Sequence, residues 1–554
     1  MNTTQTGRWR RSVWLTAAVT VLLLAGCGFD EQRLVWAPDG NRAFVFGDEK
    51  VFLMDATGKL SPPLGLPSVR RVAWFSDSQR LALVTEQPLP DWAAVAREVG
   101  PEKAREVEAV AEALWEKIQA GTTWAEAKEA FDFHDDRVLM LIYRDRHPAE
   151  FKVVMREDAW AESEARLKKE EGPTWESFAR DATPEKAREA AGAIEEVWKN
   201  YRAGMTNEEW NAIPVASDTK KILDGVGAQV IETYLRARHP DQFKEFLGDS
   251  RWKQEVAPAT MPLYQVVLAQ TDGETVKTIA VLHHGVGGYG QELRAAPGGR
   301  AVAFVAQTAL ERSPGNRLMV ALTDESGVVE VARNVATLGD WTADGGAMAY
   351  VQASSEITNS ELPQLGALIV RRVFAADGKL DLEPEPKALA GVLVSSDVRV
   401  RCLRDGRILF NTAEISLPMA KADGGSAQEQ LFALDPARQS TLVRLVPRSA
   451  EGSVPKSLTY FDVSPDERRV LFGSTQGEVT VLTLATGEVK HVQAAGDEMS
   501  GVPQWRNAEE FSYVKRNPEK DGVKPAHPCD LVLRRGDAET VLSASWPVEM
   551  LKLK

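Results

Sequence analysis

The chain has 554 residues and carries 80 acidic side chains against 66 Lys and Arg, a formal net charge of −14 at pH 7. A balance of that sign argues against nucleic acid and against attraction to anionic lipid, both of which depend on clustered basic residues. Cys27, Cys402 and Cys529 are the only cysteines, which excludes a disulfide-rich scaffold, and the length sets a soft prior of roughly two to four domains.

The chain opens with Arg8-Trp9-Arg10-Arg11, an apolar run from Val13 to Leu24, and then Leu24-Ala25-Gly26-Cys27. A basic start, a short apolar run and small residues before a cleavage point describe a secretory signal over residues 1–26, too short to span a bilayer comfortably. Leu-Ala-Gly-Cys resembles the bacterial lipobox. That resemblance implies cleavage before Cys27 and lipidation of Cys27 as the first mature residue; the bland alternative is an ordinary signal peptide with an incidental Cys. Gly28, rather than Asp, after the Cys implies sorting to the outer membrane. Residues 27–33 would then be a short tether reaching roughly 20 Å, and no second stretch of 18 apolar residues follows it. Localisation in the bacterial cell envelope, with the membrane as a partner through lipid on Cys27, is the expectation.

From Leu34 onward one pattern recurs. Trp36-Ala-Pro-Asp-Gly40 aligns with Trp74-Phe-Ser-Asp-Ser78, Ala295-Ala-Pro-Gly-Gly299, Trp341-Thr-Ala-Asp-Gly345, Cys402-Leu-Arg-Asp-Gly406, Val463-Ser-Pro-Asp-Glu467 and Trp505-Arg-Asn-Ala-Glu509. Each is followed at once by a strand-like run such as RAFVFG, RILFNTA or RRVLFGS, and later by a second tight turn such as Thr57-Gly58 or Asp377-Gly378. Seven units of four short strands, each unable to bury its own face alone, predict a radial array. The fold class expected is mainly β, a seven-bladed β-propeller over residues 34–87 plus 259–554, with a duplicated α-helical domain inserted in the second blade.

An aromatic residue, then Ser-Pro-Asp-Gly, then a strand resembles the WD-like repeat of TolB-type β-propeller proteins. The resemblance spans about 380 residues, although only the first unit and Val463–Gly473 keep close to the pattern. TolB carries a separate α/β domain that has no counterpart here. The resemblance therefore implies a fold and a habit of binding proteins, with no catalytic residues to transfer.

Residues 88–258 switch from a period of 2 to helical periodicity. Pro101-Glu-Lys-Ala-Arg-Glu106 recurs as Pro184-Glu-Lys-Ala-Arg-Glu189 and Trp115 as Trp198, at a spacing of 83; Arg146-His-Pro148 recurs as Arg238-His-Pro240 and Phe151 as Phe243, at a spacing of 92. This is an internal duplication, about residues 99–172 and 182–256. Thr183-Pro184 reads as a helix N-cap followed by N1, and Gly204 as the residue that ends that helix. Eight of the fifteen Trp lie here: an aromatic groove for sugar or peptide is one reading, and anchors of two small cores is the plainer one. In an up-and-down blade the loops between second and third strands share a face with the crossovers to the next blade, and this set includes the insertion and the long loops 307–316, 353–366, 412–430 and 516–529. Long loops gathered on one face of a rigid scaffold are where binding usually sits.

No catalytic set rises above background. His283-His284-Gly-Val-Gly-Gly-Tyr289-Gly290 holds a literal G-x-G-x-x-G, but a strand follows where a helix would be needed. His283, His284 and Tyr289 are the candidate binding residues, at a blade-to-blade crossover; adjacent strand residues face opposite ways, so no metal is expected there. His134-Asp135-Asp136 reads as solvated, and His147 and His239 as helix-start residues. Cys402 stands in the aromatic position of its unit and reads as a packed thiol; Cys529 falls in a long loop. No G-x-S-x-G occurs, which removes a serine hydrolase of the prolyl oligopeptidase type. Asp340 and Asp462 lie near first-strand ends, but two acids among 80 have no specificity. The expectation is a non-catalytic platform for one or more envelope proteins with no cofactor, the alternative being a glycan- or peptide-binding or enzymatic propeller, glycosidase- or lyase-like, acting on envelope polymers.

Overall fold

The computed structural model describes residues 34–47, 50–66, 68–133, 135–169, 172–203, 218–272, 275–283, 293–306, 316–354, 364–394, 398–414, 428–438, 441–445, 460–473, 479–493, 503–516 and 529–546. The expected signal and tether, with Cys27, lie outside the described residues, as do Gly204, Trp210, most of the long loops and the glycine-rich crossover. The chain divides into two compact units, one containing Leu89–Met261, the other the described parts of Gly28–Pro88 and Pro262–Lys554.

The second unit is all β. Its described strands form seven antiparallel sheets, six of four strands and one of three, each built in simple chain order. The first holds Leu34–Trp36, Arg42–Phe46 and Val51–Asp55. The fourth position is taken by an irregular edge segment: Leu60 bridges Met54, and Ser61 N and Leu64 N donate to Leu53 O at 2.7 Å and Val51 O at 2.9 Å, while Pro62 and Pro63 between them lack the N–H that a regular ladder needs. Cys529 also departs from expectation. It opens the strand Cys529–Arg535 rather than lying in a loop, with its backbone opposite Arg516, and the alternation of Leu531 and Leu533 carries that strand.

The recurrent turn has one geometry in the first six units. Its last residue takes positive φ and returns its N–H four-residue style to the start: Gly40 (φ 70°) to Ala37 O at 2.9 Å, Ser78 (φ 55°) to Phe75 O at 3.0 Å, Gly345 (φ 65°) to Thr342 O at 2.7 Å and Glu467 (φ 59°) to Ser464 O at 2.7 Å. Asp39, Asp77, Asp344 and Asp466 each accept a backbone N–H from two residues on, the local bond that makes Asp a turn former.

Neighbouring sheets share cores. Phe44 and Val51 of the first pack with Leu81 and Leu83 of the second; Phe75 of the second with Phe304 of the third; Val320 with Trp341 and Tyr350; Ala349 with Phe410; Leu409 with Phe461; Leu471 with Trp505 and Tyr513. Leu34, Trp36 and Phe52 of the first sheet pack with Val514 and Leu531 of the seventh. Each buried Phe contributes about 1.5–3 kcal/mol, so these shared faces outweigh the weak preference of any single short strand.

The helical unit leaves the second sheet after Arg80–Leu89 and returns at Met261–Gln270, and those two strands are neighbours in that sheet. Thr183 caps the helix Pro184–Arg202 by accepting from Lys186 N, with Pro184 in the first turn. His239 stands at the N-terminus of Pro240–Arg251. The duplication is visible in the contacts: Trp115 stacks on His147 with centroids 4.5 Å apart and meets Phe151 edge-on at 6.4 Å, while Trp198 stacks on His239 at 6.2 Å and meets Phe243 at 5.8 Å. Glu195 binds His239 at 2.8 Å; its counterpart Glu112 lies 3.5 Å from His147, in ion-pair range but out of hydrogen-bond alignment. Trp92, Trp115, Trp124 and Trp198 are buried, so these four are core anchors rather than a groove.

Candidate functional site

The first strand of each sheet ends on the aligned aromatic position, and the residue one place earlier sits in register across the units: Val35, Ala73, Arg294, Asp340, Arg401, Asp462 and Gln504. Four consecutive units thus present Arg, Asp, Arg, Asp. Where a Trp follows, its indole ties the unit to the one before. Trp74 Nε1 donates to Val35 O at 2.9 Å, Trp341 Nε1 to Arg294 O at 3.1 Å and Trp505 Nε1 to Asp462 O at 3.2 Å. Cys402, standing where an indole stands elsewhere, donates its thiol to Asp340 O at 3.7 Å.

Both aspartates act as staples between sheets. Asp340 accepts Trp341 N and Cys402 N, each at 3.0 Å; Asp462 accepts Val463 N and Trp505 N, each at 3.1 Å. Burial pushes the Asp462 carboxyl above the usual carboxylate range, against the opposing pull of Arg401, of the Trp505 N–H and of Arg294. Burial, helped by the Asp340 charge, likewise pushes the Cys402 thiol up.

A cavity of about 180 Å³ opens among these first strands, lined by Val35, Trp36, Arg294, Arg399, Arg401, Tyr460, Asp462, Gln504 and Trp505. The Arg399 guanidinium lies over the Tyr460 ring at 4.5 Å, and Arg401 Nη1 donates to Val400 O at 3.1 Å. Gln504 is only 4% exposed, and its Nε2 has no hydrogen-bond partner among the described residues. Donors dominate: three guanidiniums and a primary amide surround one carboxylate whose two oxygens already accept backbone N–H groups.

The candidates named from sequence fall elsewhere. His283 closes the fourth strand of the second sheet with its backbone opposite Leu263, and its side chain, like His284 and Tyr289, lies outside the described residues. His134 does too; Asp135 is paired with Arg137, and Asp136 lies 3.7 Å from Lys128. Cys402 is a free thiol. Among the described residues no group of three His, Cys, Asp or Glu is placed to hold a metal ion, and no helix is long and apolar enough to cross a membrane. Sequence reasoning missed Arg294, Arg399, Arg401 and Gln504; the register of the repeats, read one residue before each aromatic, was the signal that could have found three of them.

No family model matches the chain, and no curated protein does. Among solved structures, a puromycin-hydrolysing peptidase of Mycobacterium tuberculosis aligns at 11% identity over 51% of this chain and 44% of its own, with a TM-score of 0.35. A TolB-type protein of Agrobacterium tumefaciens aligns at 14% identity over 45% of this chain and 79% of its own, with a TM-score of 0.29. Prolyl oligopeptidase B of Galerina marginata aligns at 10% identity over 52% and 40%, with a TM-score of 0.35. The chain spans less than half the length of either peptidase.

Proposed function

We propose that this chain is a seven-bladed β-propeller, held in the bacterial envelope by lipid on Cys27, that serves as a non-catalytic platform for an envelope protein. The observation that carries the propeller reading is the chain of shared cores running from the first sheet to the seventh, whose Val514 and Leu531 pack with Leu34 and Trp36 of the first. Support for binding over catalysis comes from Asp462: both carboxylate oxygens are engaged by backbone N–H groups, which suits a structural staple and not an acid or base that must exchange protons with a substrate. The lipobox letters support the anchor, and the net charge of −14 argues against nucleic acid as partner.

The test is to express the full chain in a bacterial host, crosslink intact envelopes and identify what is joined to it, while assaying the purified protein against cell-wall glycans and peptides. One reproducible crosslinked envelope protein, with no product released from the polymers, is the expected result. Release of product that disappears in Asp462→Asn while binding persists would overturn the reading in favour of the enzymatic propeller.

A further inference from the structure

The cavity among the first strands has a chemistry that the platform reading does not use. Arg294, Arg399 and Arg401 line it around one carboxylate of the wall, Asp462, in a chain whose net charge is −14; Arg294 also lies 4.0 Å from Asp340. Asp462 turns both oxygens to backbone N–H groups. Gln504 adds the decisive group: it is 96% buried in the sense that only 4% of it is exposed, and its Nε2, which must donate twice to be satisfied, finds no acceptor among the described residues. A buried donor without an acceptor is a standing cost that an incoming oxygen would remove.

We infer that this cavity receives a small oxyanion, a carboxylate or phosphate group, bound by the Arg294, Arg399 and Arg401 guanidiniums and by Gln504 Nε2. Guanidinium forks match the paired oxygens of carboxylate and phosphate. Size sets the limit: about 180 Å³ is smaller than the roughly 300–1,000 Å³ of sites for drug-sized ligands, so one anionic group with a few attached atoms fills it. Such a group arrives either as a free anion or as the carboxylate end of a peptide chain. The inference rests on the reading that the first strands converge on one binding centre, and it names the ligand class of that centre.

The experiment titrates the full-length protein in neutral detergent, by calorimetry, with inorganic phosphate, with acetate, and with two tripeptides identical except that one ends in a free carboxylate and the other in an amide. Saturable binding of at least one anionic probe is expected, weakened tenfold or more in Arg401→Gln and in Gln504→Leu and weakened by added salt. Preference for the free-carboxylate peptide over its amide, beyond that for acetate, assigns the site to chain ends; equal or better binding of phosphate or acetate assigns it to free anions. Wild-type protein that binds none of the four probes, or binding unchanged in both variants, overturns the inference without reference to how the variants fold. If no probe binds while the envelope crosslink persists, the oxyanion site fails and the platform stands; if probes bind and no protein crosslinks, the platform fails and the site stands.

Discussion

The thiol of Cys402 donates to the main-chain oxygen of Asp340, 3.7 Å away, in the place where Trp341 and Trp505 each send an indole N–H to the carbonyl of the preceding unit. The same link between units is therefore made by two different donors. Because burial and the Asp340 charge raise this thiol, its thiolate is scarce and its attack on disulfides slow. In a variant with Cys27 and Cys529 changed to Ser, a thiol-reactive chromogenic disulfide should leave Cys402 unlabelled in native protein and label it fully in denaturant. Rapid labelling of this half-buried side chain under native conditions contradicts the raised thiol.

The aspartate staples predict an effect on stability that charge alone would not. In Asp462→Asn one of the two accepting oxygens becomes an NH2 group facing a backbone N–H at Val463 or Trp505, so about 1–3 kcal/mol should be lost. Asp340→Asn should do the same between Trp341 and Cys402. Asp381→Asn, which alters an exposed pair with Arg372, should stay within about 0.5 kcal/mol. Urea titration of the three variants measures the contrast.

Gly40 tests the meeting of the first and seventh sheets. Its φ is +70°, and a Cβ there would come 2.7 Å from the carbonyl oxygen of Arg506. Gly406 has φ +87° with nothing within 4 Å of such a Cβ. Both Gly→Ala changes bear the backbone cost of about 1–2 kcal/mol, and only Gly40→Ala should lose more. Equal losses in the two variants would show that the Arg506 carbonyl gives way freely.

Acid should loosen the helical unit through Glu195. Desolvation raises this carboxyl, but the hydrogen bonds from His239 and Tyr234, with the charges of His239 and Arg238, outweigh it and hold the group below its ordinary value of 4.5. A depressed acid contributes stability that is fully present above the unfolded value and lost as pH falls through the lower folded one. The helical signal at 222 nm should therefore melt at lower temperature as pH drops below about 4.5, and Glu195→Gln should melt earlier at neutral pH with a shallower fall on the acid side.

The strand repeat was legible because its turns are chemically demanding. Gly40, Gly345 and Gly406 hold positive φ, and the aspartate before each is a residue type that makes the turn, so the letters recur wherever the backbone must. The duplication was legible for a related reason: Trp115 and Trp198 each fill a small core beside a His and a Phe at matching spacings. The cavity was harder to see. Arg294, Arg401 and Gln504 come from three units far apart in sequence, and each alone is an ordinary polar residue; only the register that gives them the same position on their first strands makes them a group. The fourth segment of the first unit follows the third strand without a regular ladder because Pro62 and Pro63 interrupt the pairing that apolar spacing alone would have allowed, and Asp340 and Asp462 looked like two acids among many until their cross-sheet bonds gave them a task.

The contact between Trp36 and Ser512, through the indole Nε1 at 2.9 Å, joins residues 476 positions apart. On a ribosome making about 5–20 residues per second, the two are born on the order of half a minute or more apart. Throughout that interval Leu34 and Phe52 lack Val514 and Leu531, the residues that cover them in the finished protein, and if Cys27 marks a secretory start, the same interval includes export. The first sheet is thus the earliest made and the last completed, and a chain stalled or cut before residue 514 leaves that apolar edge open to whatever meets it first.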